Sequence, residues 1–261
     1  MSNEGAAVRR RRPTPDPVLL LHGQPGAASD WEHVTASIGD ETTTVAFDRP
    51  GWDGRSAVRD LAGNASAART VLDLAGIRRA TVVGHSLGAA VASWLAWSSP
   101  ERVGRLLLVA PAANVESLSA IDYLLAAPVA GWLASVGAMT GGGLVLGAGP
   151  VRRWVAEATA LDDRYLQSAG RMLLTPSAWR SFVREQRLLV RDLPVLERRL
   201  GEISAPTKIV AGTADRVVPI GAARRLAGQI PGAQLVEIEH AGHLVHRHQA
   251  GAVARAILRG D

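Results

Sequence analysis

Length, composition and charge exclude several classes of protein before any motif is considered. The chain has 261 residues, 47% hydrophobic and 20% charged, so it can bury a core and is not intrinsically disordered. It contains no cysteine, which excludes a disulfide scaffold, a thiolate metal site and a cysteine nucleophile. The run Arg9–Arg12 supplies four charges of the formal +5 and leaves +1 for the rest, so we expect no nucleic-acid-binding face.

Six short apolar runs alternate with helix-length segments, which is typical of buried parallel strands in an α/β sheet. We expect strands at 18–21, 43–47, 81–83, 105–109, 208–210 and 234–238. We expect helices at 29–38, 65–75, 89–98, 221–229 and 249–259. Ligands bind at the carboxyl ends of the strands in such sheets, so the residues that follow each run are the functional candidates.

The alternation breaks over residues 114–200, which predicts a helical lid inserted between two core segments, 18–113 and 201–261. Residues 1–17 form an Arg/Pro-rich tail that we expect to be disordered. An arginine series in the lid follows helical spacing and indicates a solvated helix face; its members are Arg180, Arg184, Arg187 and Arg191.

Within the lid, Tyr123–Val151 is free of charged residues and long enough to cross a membrane. Its glycines, its prolines and its alanine-rich composition argue against that, so we do not expect membrane contact. We expect two helices instead, at 121–127 and 129–139, joined by a mobile glycine-rich loop. The apolar stretch after the tail is too short for a signal peptide, which indicates a cytoplasmic protein.

The third predicted strand runs through Gly84-His85-Ser86-Leu87-Gly88 into a helix, the strand–turn–helix setting of a nucleophile elbow. In so tight a turn, side chains at Gly84 and Gly88 would collide with neighbouring elements, and the serine is strained with its Oγ exposed. Ser86 is therefore the candidate nucleophile. The alternative is a glycine-rich turn that contains a serine by chance.

A serine hydroxyl needs a base, and the base needs an orienting carboxylate. Asp215 and His243 each follow a later predicted strand, and the order Ser86, Asp215, His243 is the one that this kind of sheet uses. His240 is the rival base, three residues before His243. His246 is expected at the surface.

An oxyanion hole is also required, and it normally combines two backbone N–H groups. Leu87 supplies the amide after the nucleophile, and Gln24 supplies the best-placed amide in the loop after the first strand, because Pro25 has no N–H. Gly23 and Gly26 let that loop approach a substrate closely.

Taken together, these segments resemble the α/β-hydrolase family, in its single-lid branch of esterases, C–C bond hydrolases, perhydrolases and epoxide hydrolases. The resemblance starts at about Pro17 and is carried by His22–Gly26, Trp31, Asp48–Ser56, Gly84–Gly88, Gly212–Pro219 and Gly242–His243. It implies a mostly parallel sheet flanked by helices, with the helical lid inserted after the sixth strand of the family's sheet. Epoxide opening is disfavoured, since those relatives use Asp as the nucleophile where this chain has Ser86.

The chain departs from the family pattern at two places. Family members usually have two further strands before the His-Gly loop, which here begins at His22. That departure bears on stability or oligomeric state rather than on catalysis, and it leaves a homodimer open. Residues 246–249 read His-Arg-His-Gln where relatives often carry Glu and Pro, and we do not expect this change to touch the chemistry.

The resemblance implies a serine hydrolase that needs neither cofactor nor metal and cleaves a small hydrophobic carboxylic ester or thioester through an acyl-enzyme. The candidate substrate contacts are His85, Trp52, Leu124 and Trp132. C–C bond hydrolysis of a vinylogous diketone by the same triad is the first alternative, and a perhydrolase is a weaker one. A ligand-binding receptor or scaffold on the same fold is the alternative from another class.

Overall fold

The computed structural model describes residues 16–259, so nearly all of the tail expected over 1–17 lies outside the described residues. The strands are β1 Val18–Leu21, β2 Thr44–Ala46, β3 Ala80–His85, β4 Val103–Val109, β5 Thr207–Gly212 and β6 Gln234–Ile238. The helices are α1 Glu32–Ile38, α2 Leu61–Leu74, α3 Leu87–Ser98, α4 Ala120–Ala126, α5 Ala130–Gly147, α6 Gly149–Thr159, α7 Asp163–Leu173, α8 Pro176–Glu197, α9 Ile220–Gln229, α10 Val245–His248 and α11 Ala250–Arg259. Helices α4–α8, between β4 and β5, are called the helical insertion below.

The six strands lie in the order β2-β1-β3-β4-β5-β6, and every neighbouring pair is parallel. Successive side chains of a strand point to opposite faces, so in β1 Leu19 and Leu21 join one apolar cluster while Val18 and Leu20 join the other. Burial on both faces explains why the strands read as continuous apolar runs. The predicted mostly parallel sheet flanked by helices is confirmed.

Helix α2 begins four residues before its predicted start at residue 65. The cause is a helix cap, because the Asp60 carboxylate accepts the backbone N–H of Gly63 at 2.8 Å. The apolar pattern used for the prediction begins only after that first turn, so it could not locate the true start.

The predicted mobile glycine-rich loop between the two insertion helices is wrong, because α4 and α5 are joined by residues 127–129, which contain no glycine, and Gly141–Gly143 lie inside α5. Gly143 serves packing against the end of α7. A Cβ on Gly143 would lie 2.7 Å from Leu174 Cγ and 3.0 Å from the Gly170 carbonyl oxygen, so only glycine lets the two helices approach this closely.

Helix α5 presents an apolar face to solvent on the side away from α7. Leu133 is 66% exposed and Leu144 62% exposed. Among the described helices, α5 alone is long and apolar enough to cross a membrane, and only 22% of it is buried. One such helix is weak evidence of a membrane span.

Two glycines of α5 offer a matched test of this packing. Gly143→Ala is expected to lower the free energy of unfolding by about 1–3 kcal/mol, since the new methyl group overpacks against α7. Gly137→Ala is expected to raise it by about 0.5–1 kcal/mol, because alanine favours helix and a Cβ there meets nothing within 4 Å. Urea unfolding measures both values, and equal effects of the two substitutions would contradict the close packing of α5 on α7.

Candidate active site

The turn between β3 and α3 holds Ser86 in the strained conformation expected from the sequence. Its φ is 52° and its ψ is −122°, a region that non-glycine residues rarely adopt. A Cβ on Gly84 would lie 2.3 Å from the Gly88 carbonyl oxygen, and a Cβ on Gly88 would lie 2.3 Å from the Leu21 carbonyl oxygen. These two glycines therefore allow the tight packing of strand, turn and helix that keeps the serine strained.

Asp215 and His243 are brought together at the carboxyl ends of β5 and β6. Asp215 Oδ2 lies 2.8 Å from His243 Nδ1, and Oδ1 accepts the backbone N–H groups of Val217 and Val218 at 2.8 and 2.9 Å. Since an ionised carboxylate only accepts hydrogen bonds, Nδ1 carries the proton and Nε2 is left as the basic nitrogen. The rival His240 is exposed, and its backbone N–H donates to Thr213.

The histidine loop lies beside the serine turn. His85, the neighbour of Ser86, donates from Nε2 to the His243 carbonyl oxygen at 3.0 Å. Within the described residues the Ser86 hydroxyl makes no hydrogen bond, so its pairing with His243 stays a prediction. Such catalytic hydrogen bonds often form only when a substrate is bound.

The loop after β1 approaches the serine closely enough to contribute to an oxyanion hole. A Cβ on Gly23 would lie 3.0 Å from Ser86 Cβ, so the loop contacts the turn directly. The next residue is Gln24, whose amide was the predicted donor, and Leu87 begins α3 on the other side of Ser86. His22 supports the loop, because its Nε2 accepts the backbone N–H of Arg49 at 2.9 Å.

Arg49 and Glu185 form a buried ion pair that sequence reasoning missed. Arg49 is 0% exposed and Glu185, on α8, is 2% exposed. Both guanidinium Nη atoms reach the Glu185 carboxylate, and the Trp52 indole N–H donates to the same carboxylate at 2.8 Å. The sequence did contain a signal for this pair. Glu185 is an acidic residue in the middle of the arginine series of this helix, and it occupies a buried position.

Trp52, predicted as a substrate contact, therefore has its indole N–H bound to the insertion. Its ring also lines a cavity of about 160 Å³ together with Gly26 and Ala27. The predicted contacts Leu124 and Trp132 lie on the outer side of α4 and α5, 51% and 38% exposed.

A cavity of about 190 Å³ lies between the loop after β1 and α7. Pro25 and Asp30 line one side of it, and Arg164, Tyr165 and Met172 line the other. Sequence reasoning did not single out these α7 residues as lining, because their position depends on how the insertion folds back on the sheet. Burial raises the pKa of Asp30 to about 6.

His85 and His246 make a buried, tilted ring contact beside His243, which corrects the expectation for His246. His246, expected at the surface, is 1% exposed, and its ring centroid lies 4.0 Å from that of His85. His85, predicted as a substrate contact, supports the His243 loop through its hydrogen bond to the His243 carbonyl, and its contact with substrate stays a prediction. Burial lowers the pKa of His85 well below its usual value and that of His246 to about 3, so both rings are neutral.

Arg247 links the histidine loop to the insertion. Its guanidinium lies 2.7 Å from Asp162, 3.0 Å from Glu32 and 3.4 Å from His33. Those three side chains are spaced closely enough to hold a metal ion, but the guanidinium already contacts all of them. It also lies 3.8 Å from the centroid of the Tyr165 ring. Arg247, within the segment 246–249 that departs from the family pattern, thus connects the histidine loop to the insertion.

Comparison with known proteins gives a consistent family and a group of relatives. The family model described as "Alpha/beta hydrolase family" matches residues 18–256. The 2-hydroxy-6-oxononadienedioate/2-hydroxy-6-oxononatrienedioate hydrolase 2 of Pseudomonas putida is 28% identical, over 92% of this chain and 86% of its own. The 2-hydroxy-6-oxo-6-phenylhexa-2,4-dienoate hydrolase of Burkholderia cepacia is 27% identical, over 92% and 86%. A solved alpha/beta hydrolase fold protein from Burkholderia ambifaria is 25% identical with a TM-score of 0.76, over 94% and 90%.

The two candidate bases can be compared by one matched pair of substitutions. His243→Asn is expected to slow the labelling of Ser86 by a fluorophosphonate by about 10³-fold, because the base is lost. His240→Asn is expected to leave the rate within about twofold, since asparagine tolerates the left-handed backbone found at this exposed position (φ 59°). An equal loss in both variants would contradict the assignment of His243.

The buried histidines make stability depend on pH. Their folded pKa values lie below that of an unfolded histidine, about 6.5, so their contribution is present above that pH and is lost as the pH falls. Asp30 acts oppositely, because its raised pKa stabilises the fold at low pH and that contribution is lost as the pH rises through about 6. Because the pKa values of His22, His85 and His246 are all lowered, their combined effect on stability outweighs that of Asp30 between pH 6 and 5.

His246→Phe is expected to reduce the pH slope of the unfolding free energy by about 1 kcal/mol per pH unit between pH 6 and 5. The exposed His248→Phe is the matched control and is expected to keep the wild-type slope. Urea unfolding at a series of pH values gives both slopes. An unchanged slope in His246→Phe would contradict a buried neutral imidazole.

Proposed function

The chain belongs to the alpha/beta hydrolase family, and from that premise we propose that it is a serine hydrolase that cleaves the C–C bond of a 2-hydroxy-6-oxo-dienoate type of ketone. The observation that carries the hydrolase chemistry is the Asp215–His243 pair at the sheet edge that also holds the strained Ser86. The relatives from Pseudomonas putida and Burkholderia cepacia support the substrate class. A 2-hydroxy-6-oxo-dienoate contains no ester, so its hydrolysis breaks a carbon–carbon bond beside the 6-oxo group.

In the proposed cycle His243 Nε2 takes the proton of Ser86, and Oγ attacks the 6-oxo carbon. The amides of Gln24 and Leu87 stabilise the oxyanion. The substrate reacts as its 2,6-dioxo tautomer, in which the 2-hydroxyl proton has moved to C5. When the oxyanion collapses, the C5–C6 bond breaks, the electron pair from C5 is delocalised onto the 2-oxo group as a dienolate, and His243 returns the serine proton to this leaving fragment. Water, deprotonated by His243, then attacks the acyl-enzyme, releases the carboxylic acid and restores Ser86.

The substrate's own carboxylate needs a cation. In the described part of the chain, the arginines buried below a tenth exposure are Arg49 and Arg247, and both are paired with carboxylates. Arg164 lines the cavity beside the oxyanion loop and is exposed. We assign it to the substrate carboxylate.

Hydrolysis of a neutral ester is the second candidate function. It is favoured because both buried arginines are already paired with carboxylates and so do not offer a cation to a charged substrate. An uncharged ester needs no cation, and the cavity beside the loop includes the apolar side chains of Pro25, Met172 and Leu173. Acyl transfer from an ester uses the same serine, histidine and amides, so only the leaving group differs.

The test compares 2-hydroxy-6-oxo-6-phenylhexa-2,4-dienoate with a chain-length series of p-nitrophenyl esters, using wild type, Ser86→Ala and Arg164→Gln. We expect turnover of the dienoate above about 1 s⁻¹ that disappears in Ser86→Ala, and at least about tenfold higher kcat/KM than for any ester. Arg164→Gln is expected to raise KM for the dienoate about tenfold and to leave KM for the esters unchanged.

A higher kcat/KM for an ester than for the dienoate would show that ester hydrolysis, not C–C bond hydrolysis, is the preferred reaction. Labelling of Ser86 by a fluorophosphonate without turnover of either class would instead favour a receptor that keeps the triad.

A further inference from the structure

Glu185 belongs to the helical insertion, yet its carboxylate is buried against the loop that carries the expected oxyanion donor. Its partners are Arg49 and Trp52, both from the segment after β2. A buried carboxylate that accepts three hydrogen bonds is held in one geometry, and so are the groups that donate to it.

Arg49 transmits this fixed geometry to the loop after β1. Its Nε donates to the His22 carbonyl oxygen at 2.9 Å, and its Nη2 donates to the Gly23 carbonyl oxygen at 2.8 Å. The Gly23 carbonyl and the Gln24 N–H belong to one planar trans peptide unit, in which they point in opposite directions. Holding the Gly23 oxygen on Arg49 therefore aims the Gln24 N–H to the opposite side of the loop.

A second contact holds Gln24 from the same helix. The Gln24 side-chain amide donates to the Phe182 carbonyl oxygen at 2.7 Å, one turn before Glu185 on α8. Both the peptide plane and the side chain of Gln24 are thus positioned by α8, which is 158 residues away in sequence at this contact.

We propose that Glu185 is a positioning residue of the oxyanion hole, acting through Arg49 on the peptide plane of Gln24. The proposal rests on the proposed function, because it assigns a role within that same serine site. Oxyanion donors stabilise the transition state only when they are already aimed at the developing charge. Loss of the Glu185 carboxylate removes the ionic anchor of the Arg49 guanidinium. His22 Nδ1, which also donates to the Gly23 carbonyl oxygen at 2.8 Å, then holds the peptide plane with a weakened partner, so the direction of the Gln24 N–H is less fixed.

The test uses Glu185→Gln, which keeps the size of the side chain and removes its charge. Asp192→Asn is the matched control, since Asp192 is also a buried acid on α8 but binds the Leu61 N–H and Arg191, away from the loop. The fraction of active sites is titrated with a fluorophosphonate, and kcat is expressed per titrated site. The second-order rate of phosphonylation gives a readout that needs no substrate.

We expect Glu185→Gln to lower kcat per titrated site by about 10- to 100-fold with KM within about threefold, and to slow phosphonylation in the same proportion. Asp192→Asn is expected to lower the melting temperature but to keep both rates within about threefold. If Glu185→Gln does not fold, Glu185→Asp keeps the charge on a shorter side chain and is expected to lose about three- to tenfold in both rates.

Three results would overturn the proposal. They are per-site rates of the folded Glu185 variants equal to wild type, an equal loss in Asp192→Asn, and a rise in KM with kcat unchanged, which would make Glu185 a substrate contact. If the wild type turns over neither dienoate nor ester, the substrate proposal fails, while the phosphonylation rates still decide the role of Glu185. A wild type that does not react with the fluorophosphonate would overturn both.

Discussion

Burial of the Arg49 guanidinium is the constraint on which the rest of the site depends. A fully buried cation is tolerated only when it is paired and its donors are satisfied. Its acceptors come from three separate parts of the chain, namely His22 with Gly23, Asn64, and Glu185. The loop after β1, helix α2 and helix α8 are therefore held in one arrangement. Removing one partner of such a pair costs about 3–5 kcal/mol, so these parts are not free to move separately.

The same constraint relates the helical insertion to the chemistry. The insertion supplies Glu185 to Arg49 and the Phe182 carbonyl to Gln24 in the loop beside Ser86. Arg247 makes a second connection, from the histidine loop to Asp162 in the insertion. Both sides of the site, the amide side and the base side, are thus attached to the insertion through a buried arginine.

Burial also divides the roles of the histidines at this edge. His22, His85 and His246 are kept neutral, because desolvation is the largest effect lowering the pKa of each. Unlike those three histidines, His243 pairs with a carboxylate, and its side chain is 15% exposed. The neutral His85 can donate from Nε2 to the His243 carbonyl, so it supports the loop of the base without competing for its proton.

The features that could be predicted from the sequence are local ones. The bounds of β1 and β6 agree with their apolar runs, and the packing of Gly84 and Gly88 follows from the tightness of one turn. The features that were missed depend on distant partners. Gly143 lies in a helix that packs closely on Gly170 and Leu174, and the buried His246 ring lies against that of His85. No local pattern marks either contact.

The identity of the covalent intermediate tests the central claim most directly. Both 2-hydroxy-6-oxo-6-phenylhexa-2,4-dienoate and p-nitrophenyl benzoate would leave a benzoyl group on the nucleophile, so the test is independent of which substrate class is preferred. Rapid acid quenching during turnover, followed by mass spectrometry of the peptide fragments, locates that group. The account predicts a benzoyl ester on Ser86 that is absent in Ser86→Ala. Product formation by the wild type with no acyl group on Ser86, or with the group on another residue, would contradict it.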